Sequence, residues 1–452
     1  MLSKDIIGAE EMVEDILIEN GLVVTADKRG TIHENGYVKI SGGKIANIGS
    51  GSYQGSVDKT IDASGCVIIP GLITAHTHLY GILLRGASLN IEPPTDFAQV
   101  LQRVWWPVDE ALTVEDAYAS ALSASADMLR NGSTLYADTY SGPNSIEGSL
   151  EAIAKGTKEV GMRGIVAFEM TERNDPKEAE RGLQEGINFV NSLQNDDLIS
   201  GMMSIHASFT VGDEIVTKAV EEAKNLNIPI TVHTSEGLVD LYHNLEHSGE
   251  RTVERLDRLG VLGKKTVLAH CVHIDDHEMD LIAKSKSAVA HNPMSNMLNA
   301  VGVSPVPDML ERGITVGLGN DGWIYDPFEN MRCAMTIHRL ASGNPSAIGP
   351  DEIFKMATLD GARCYGLEKK VGSLERNKLA DIVILDGSNV PTPLTKQSVI
   401  GHLLNTFNGG YVRDVFVGGQ QVVQNRNLTR IADNKVAEIS RRSAEGLWTR
   451  LH

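Results

Sequence analysis

Short apolar runs alternate with longer amphipathic stretches through most of the chain, and this rhythm breaks down at both ends. Over the first sixty residues the apolar positions fall into strand-length segments at 15–25 (DILIENGLVVT), 36–40 and 44–48, separated by Gly- and Asp-rich turns. From residue 67 strands alternate with helical stretches. Eight apolar segments predict successive strands at 67–74, 134–138, 164–169, 201–206, 229–233, 266–270, 288–291 and 315–319. The clearest helix is predicted over 114–130, with Thr113 as N-cap, Glu115 and Asp116 in its first turn and Gly132 just past its end. Eight apolar strands alternating with helices predict a closed parallel barrel.

Past residue 362 the strand texture returns at 379–385 (LADIVIL), 411–417 and 421–423, and 434–451 has the pattern of an amphipathic helix. The reading is an α/β protein: a (β/α)8 TIM-like barrel over 66–365, inserted into a small β-sandwich domain built from both chain ends (1–65 and 366–430), with a C-terminal helix over 431–452. Repeats and low-complexity segments are absent from the pattern.

Composition narrows the setting. The 452 residues are 42% hydrophobic and 22% charged, enough for a large core and against global disorder. A formal net charge of −18 argues against nucleic acid and against an anionic membrane surface as partners. Four scattered cysteines, Cys66, Cys271, Cys333 and Cys364, fit reduced thiols of a cytoplasmic protein. The opening MLSKDIIGAEEMVED carries acids where a secretory leader needs a charged start and an apolar core. No apolar run reaches the ~18 residues of a membrane span.

The sharpest chemistry lies in PGLITAHTH (70–78). Side chains repeat every two residues along a strand, so His76 and His78 face the same way, toward the barrel mouth where such folds place their sites. Two imidazoles side by side make half of a divalent-metal site, although the same spacing arises by chance in structural histidines. The later strand ends add weight: HTSE at 233–236, HCVH at 270–273, HNP at 291–293 and GNDG at 319–322 put titratable groups at the same end of successive apolar strands. A carboxylate closing a buried strand is costly unless paired or bound to a cation.

With these motifs in order (PGLITAHTH, HTSE, LAHCVH, HNPMSN, VGLGNDG) the chain resembles the amidohydrolase superfamily along nearly its whole length. The nearest resemblance is to SsnA-type aminohydrolases, through VWWPVDEALT, NSIEGSLEAIA, SIHASFT and HNPMSNMLNAVGVSPV. Adenosylhomocysteine/methylthioadenosine deaminases and triazine chlorohydrolases come next. The resemblance implies one divalent metal ion held by His76, His78, His233 and Asp321, with zinc expected and ferrous iron compatible with the same ligands. It implies that Asp321 also takes a proton from the attacking water, that Glu236 protonates a ring nitrogen, and that His270 stabilises the tetrahedral intermediate. Outside the family context, Glu236 would read as a carboxylate at a helix start.

Five further residues are candidates for substrate contact, each with a structural alternative. His206 resembles a substrate-contacting histidine, against a satisfied core histidine. His291 and Asn292 stand to line the pocket or to brace Asp321. Trp105 stands to form a lid, against packing under the loop. Arg85 stands to clamp an anionic substrate, against a structural ion pair.

Two departures bear on substrate. The fourth strand (GMMSIHASF) has no lysine, which binuclear members use to bridge two metals, so one metal and deaminase-like chemistry are expected. Nucleoside-type deaminases resemble one another in carrying an acid and a tryptophan after the first strand; here Phe97-Ala98-Gln99-Val100 has neither, which argues against an adenosine-type substrate. The expectation is a homo-oligomeric aminohydrolase attacking a C–N bond of a small purine-, pterin- or pyrimidine-like heterocycle. Triazine dechlorination and cyclic-amide opening are the alternatives, with a non-catalytic scaffold behind both.

Overall fold

The structure is a computed structural model and describes residues 14–193 and 196–451. The leader reading of the N-terminus falls on residues 1–13 and lies outside the described residues.

Two sheets organise the chain. Eight parallel strands form the barrel wall in sequence order: Leu72–Thr77, Ser133–Tyr140, Arg163–Met170, Met203–Ala207, Ile230–Thr234, Thr266–His270, Ala288–His291 and Thr315–Leu318. Ile199–Gly201 pairs separately with the third of these. The ends of the wall meet at the site, where the amides of Asn320 and Asp321 both donate to the His76 carbonyl. Nearly every position of these strands is buried, as expected of a parallel sheet covered on both faces.

The second sheet has nine strands drawn from both chain ends. The N-terminal part supplies Ile16–Val24, Ile32–Ser41, Lys44–Ser50, Lys59–Asp62 and Cys66–Pro70, and the C-terminal part Ile382–Asp386, Val412–Val417, Gln420–Gln424 and Asn427–Leu428. It has its own apolar core, in which Ile18, Val38, Ile40 and Ile68 pack with Ile382, Ile384 and Phe416.

The apolar run read as one barrel strand over 67–74 is two strands. Cys66–Pro70 pairs antiparallel with Ile382–Asp386 and parallel with Ile16–Val24, and only Leu72–Thr77 enters the barrel. Both segments are buried on both faces, so hydrophobicity carries no mark of the change of partner. The junction is Gly71, whose amide donates to the Asp381 carbonyl. A Cβ there would lie 2.0 Å from Thr134 Oγ1, so only glycine admits this approach. The fourth strand is likewise divided, at Met202, between Ile199–Gly201 and Met203–Ala207.

The helix expected over 114–130 spans Val114–Arg130, opened by a reciprocal Thr113–Asp116 capping box. The C-terminal helix, Asp433–Arg450, packs against it: Ser443 Oγ donates to Asp116 Oδ1 at 2.5 Å and Trp448 Nε1 to the Leu83 carbonyl at 2.8 Å. All four cysteines are buried and unpaired. Among the described residues no helix is long and apolar enough to cross a membrane.

Candidate metal and catalytic site

His76, His78, His233 and Asp321 converge at the C-terminal end of the barrel strands, each with one donor atom within 4.8 Å of all the others. His76 Nε2 lies 3.0 Å and His78 Nε2 3.2 Å from Asp321 Oδ1. The Nε2 atoms of His78 and His233 are 3.2 Å apart. Their tautomers follow from their other nitrogens: His78 Nδ1 donates to the Thr139 carbonyl at 2.8 Å and His233 Nδ1 to the His206 carbonyl at 2.7 Å. With Nδ1 committed to a carbonyl in each, both rings turn Nε2 toward the same point. Two lone pairs facing at this distance need a cation or a proton between them. Ligands about 2.0–2.1 Å from a tetrahedral ion lie about 3.3 Å apart, so the donor set fits a divalent metal.

The backbone delivers these groups by departing from strand geometry. Ser235, His270, Cys271 and Asp321 all have φ between +47° and +72°, the left-handed region that non-glycine residues avoid. Each sits just at or past a strand end, and at His270 and Asp321 the turn brings the side chain to the ligand cluster. Gly319 makes the last turn feasible, since a Cβ there would lie 2.1 Å from Asn292 Oδ1 and 2.8 Å from the His76 carbonyl oxygen. Tyr325 braces the opposite side, its hydroxyl donating to the His78 carbonyl at 3.0 Å.

Glu236 and His270 adjoin the ligand cluster. His270 Nε2 lies 3.5 Å from Glu236 Oε2 and 3.6 Å from Asp321 Oδ1, and His270 Nδ1 donates to Asn296 Oδ1 at 2.8 Å. Ser295 Oγ holds Asp321 Oδ2 at 2.5 Å. Burial pushes Glu236 up to about 7, reinforced by the Asp321 charge and opposed by His270. Burial would lower His270, but Glu236 and Asp321 outweigh it and hold the ring up to about 9. Asp321, although fully buried, is held well below the usual carboxylate range by His270, His76 and His78. A carboxyl near neutrality beside a carboxylate that stays ionised is the division of labour expected of an acid and a ligand.

These groups open into a pocket with about 600 Å3 of free space, its mouth included, walled by Phe97, Leu101, Trp105, Trp106 and Phe209. Of the candidate substrate contacts, His206 and Trp105 line it. His206 Nδ1 is satisfied by Thr210 Oγ1 at 2.9 Å, and burial lowers the ring to about 3, so it faces the pocket neutral. Trp105 ends a π-helical turn (Leu101–Trp105), its ring 6.4 Å from His78 and edge-on to Tyr80 and Trp323.

The structure does not bring the other three to the pocket wall. His291 Nε2 is 3.0 Å from His338 Nε2, a buried pair within the fold. Asn292 Nδ2 lies 3.3 Å from His270 Nε2. Arg85 pairs with Asp127 at 2.8 Å and lies over the Tyr325 ring.

Several lining residues were not singled out from the sequence. Glu169 is 1% exposed near the end of the third barrel strand, 3.5 Å from His233 Nδ1, and burial pushes it up to about 7. It is the lone carboxylate of an apolar strand, GIVAFEM, the same signal that marked Asp321. Asp109 is 2% exposed and paired with Arg173 at 2.7 Å; that pairing spans 64 residues and leaves no local trace. Tyr80, Asp240 and Asn299 also line it.

The profile of the amidohydrolase family matches residues 67–422. The chain is 33% identical over 444 residues to a 5'-deoxyadenosine deaminase of Methanosarcina mazei, covering 97% of this chain and 99% of the relative. It is 34% identical over 429 residues to a 5-methylthioadenosine/S-adenosylhomocysteine deaminase of Carboxydothermus hydrogenoformans, covering 93% and 95%. Among solved structures, an adenosine deaminase of Xanthomonas campestris with bound zinc superposes with a TM-score of 0.88 at 25% identity, covering 96% of this chain and 99% of that one.

Proposed function

The chain belongs to the amidohydrolase family and is a hydrolase of carbon–nitrogen bonds other than peptide bonds, and from that premise we propose a mononuclear deaminase acting on an aminated heterocycle of purine, pterin or pyrimidine type. The observation that carries this reading is the facing lone pairs of His78 and His233, 3.2 Å apart, closed by His76 and Asp321.

His76, His78, His233 and Asp321 would hold one divalent ion, zinc in the first instance, as in the Xanthomonas relative. A divalent ion bound there supplies Lewis-acid activation of a water molecule near neutral pH. The residues supply the rest. Asp321, kept ionised and fixed by Ser295, accepts a proton from the water. Glu236, pushed up to about 7 and so in part protonated at neutrality, gives its proton to a ring nitrogen, which makes the adjacent carbon electrophilic. His270, locked by Asn296, turns Nε2 to the space between Glu236 and Asp321 and stabilises the charge that develops on the adding oxygen. Glu236, now ionised, takes the remaining proton of the added hydroxyl and passes it to the leaving amine, and the proton held by Asp321 restores Glu236. Trp105 covers the ring and His206 contacts its edge, while Asn292 positions His270.

The test is ammonia release from a panel of aminated purines, pterins, pyrimidines and triazines, with metal analysis of the wild type and of His78→Ala. One ion per chain that is lost in the variant, together with ammonia release, supports the reading. Chloride or alkylamine release from a triazine would change the leaving group, and a chain that binds no ion would sink the proposal.

A further inference from the structure

The pocket carries more hydrogen-bond acceptors than the reaction uses. Glu169 and Asp109 line it at 1% and 2% exposure, and Glu169 Oε1 and Asp109 Oδ1 have no hydrogen-bond partner among the described residues. A buried polar atom left unpaired is expensive, and such atoms in a binding pocket mark groups that a ligand completes. Glu169 is not the acceptor that orients the metal-site histidines. The nearest imidazole nitrogens, Nδ1 of His233 and His78, are 3.5 and 3.9 Å away and already donate to carbonyls at 2.7 and 2.8 Å. Asp109 is oriented from the far side: Arg173 and Ser141 both hold Oδ2, at 2.7 and 3.1 Å, which leaves Oδ1 over.

Charge points the same way. Five carboxylates line the pocket (Asp109, Glu169, Glu236, Asp240 and Asp321), and among the described residues no lysine or arginine does. Arg173 does not reach the wall and is balanced by Asp109; Arg85 is paired with Asp127. A carboxylate or phosphate on the substrate would find no lysine or arginine on the wall. The segment that could greet a sugar is closed as well. Phe97 packs against Gly237, where a Cβ would lie 2.5 Å from its ring, and Gln99 is bonded to Thr95 and Asp96.

We propose that Glu169, seconded by Asp109, reads N–H donors on the substrate remote from the reacting carbon. The site therefore takes a flat heterocycle with at least two amino or ring N–H donors, no sugar and no anionic group. This rests on the aminohydrolase reading above. Glu169 is a specificity residue, and the two imidazoles beside it are oriented by main-chain carbonyls instead.

The experiment compares kcat and KM on two pairs of rings that differ by one amino group: adenine against 2,6-diaminopurine, and 4-aminopyrimidine against 2,4-diaminopyrimidine. Wild type, Glu169→Met and Glu169→Gln are assayed, each checked for thermal unfolding and bound metal. The wild type should favour the diaminated member of a pair by at least about tenfold, the effect of one buried hydrogen bond made or unmade. Glu169→Met should abolish that preference through KM. Glu169→Gln, which keeps an acceptor, should retain part of it and answers the question alone should the methionine variant not fold. Equal use of both ring members by the wild type overturns the proposal. So does an equal fall in kcat on both with loss of metal, or a preference for S-adenosylhomocysteine. If no ring in either pair releases ammonia, the aminohydrolase reading itself fails.

Discussion

His78 and His233 point their Nε2 lone pairs at each other across 3.2 Å, after each ring has given its Nδ1 hydrogen to a main-chain carbonyl. Two bare lone pairs repel, so the pair needs a proton or a cation between the rings, and much of the site's behaviour follows from this contact.

Removing one partner should release the ion. His78→Ala is expected to lose a full metal equivalent, and to lose the increment of thermal stability that metal gives the wild type. Metal content by elemental analysis, with melting curves recorded with and without added zinc, would check this. Retention of one tight equivalent in the variant would refute the ligand assignment.

Asp321→Asn should abolish turnover. An amide is a poorer ligand and cannot accept the water's proton, and Ser295 loses its anionic partner. Near-normal kcat in this variant would dismiss the role given to Asp321.

Glu236→Gln should keep its metal and lose activity by about 10^2–10^4-fold, the usual worth of a positioned proton carrier. With Glu236 near 7, the wild-type rate should fall as pH rises through that value, because the carboxyl then has no proton to give. Loss of metal from Glu236→Gln would instead place this residue among the ligands.

Trp105→Ala should raise KM by about tenfold with a smaller change in kcat, since the ring covers the pocket and touches no reacting group. Steady-state kinetics beside a melting curve separate the two roles: unfolding at much lower temperature with unchanged KM would make Trp105 a packing residue only.

Asp138 offers a pH signature of burial. Its Oδ1 accepts from the Leu79 amide at 2.8 Å, its Oδ2 has no partner, and burial pushes the carboxyl up to about 7. The folded chain therefore holds a proton that the unfolded chain has released. The stability this gives is complete below about pH 4 and is lost as pH climbs through 7, to a total on the order of 4 kcal/mol. Asp138→Asn should flatten that slope in denaturant unfolding between pH 4 and 8. Parallel curves for both proteins would mean that the group titrates normally.

The sequence carried the barrel, its strand order and the converging ligands because these obey short-range rules. His76 and His78 share a face by the two-residue period of a strand, and Asp321 stands out as an acid after an apolar run. What it concealed depends on partners far along the chain. The change of sheet at Gly71 leaves no mark because residues on either side are buried alike. The diversion of His291 toward His338 and the Asp109–Arg173 pair are tertiary choices across 47 and 64 residues. Glu169 was within reach, since it satisfies the rule that singled out Asp321.

The switch at Gly71 also sets a timetable. The strand bearing His76 and His78 continues directly from Cys66–Pro70, which is clasped by Ile382–Asp386, residues made more than three hundred positions later. While the ribosome is still extending the chain, the root of this strand has Ile16–Val24 on one edge and no partner on the other. A chain cut short before residue 382 would carry every proposed catalytic group and still lack the clasp beside the strand that presents two of them.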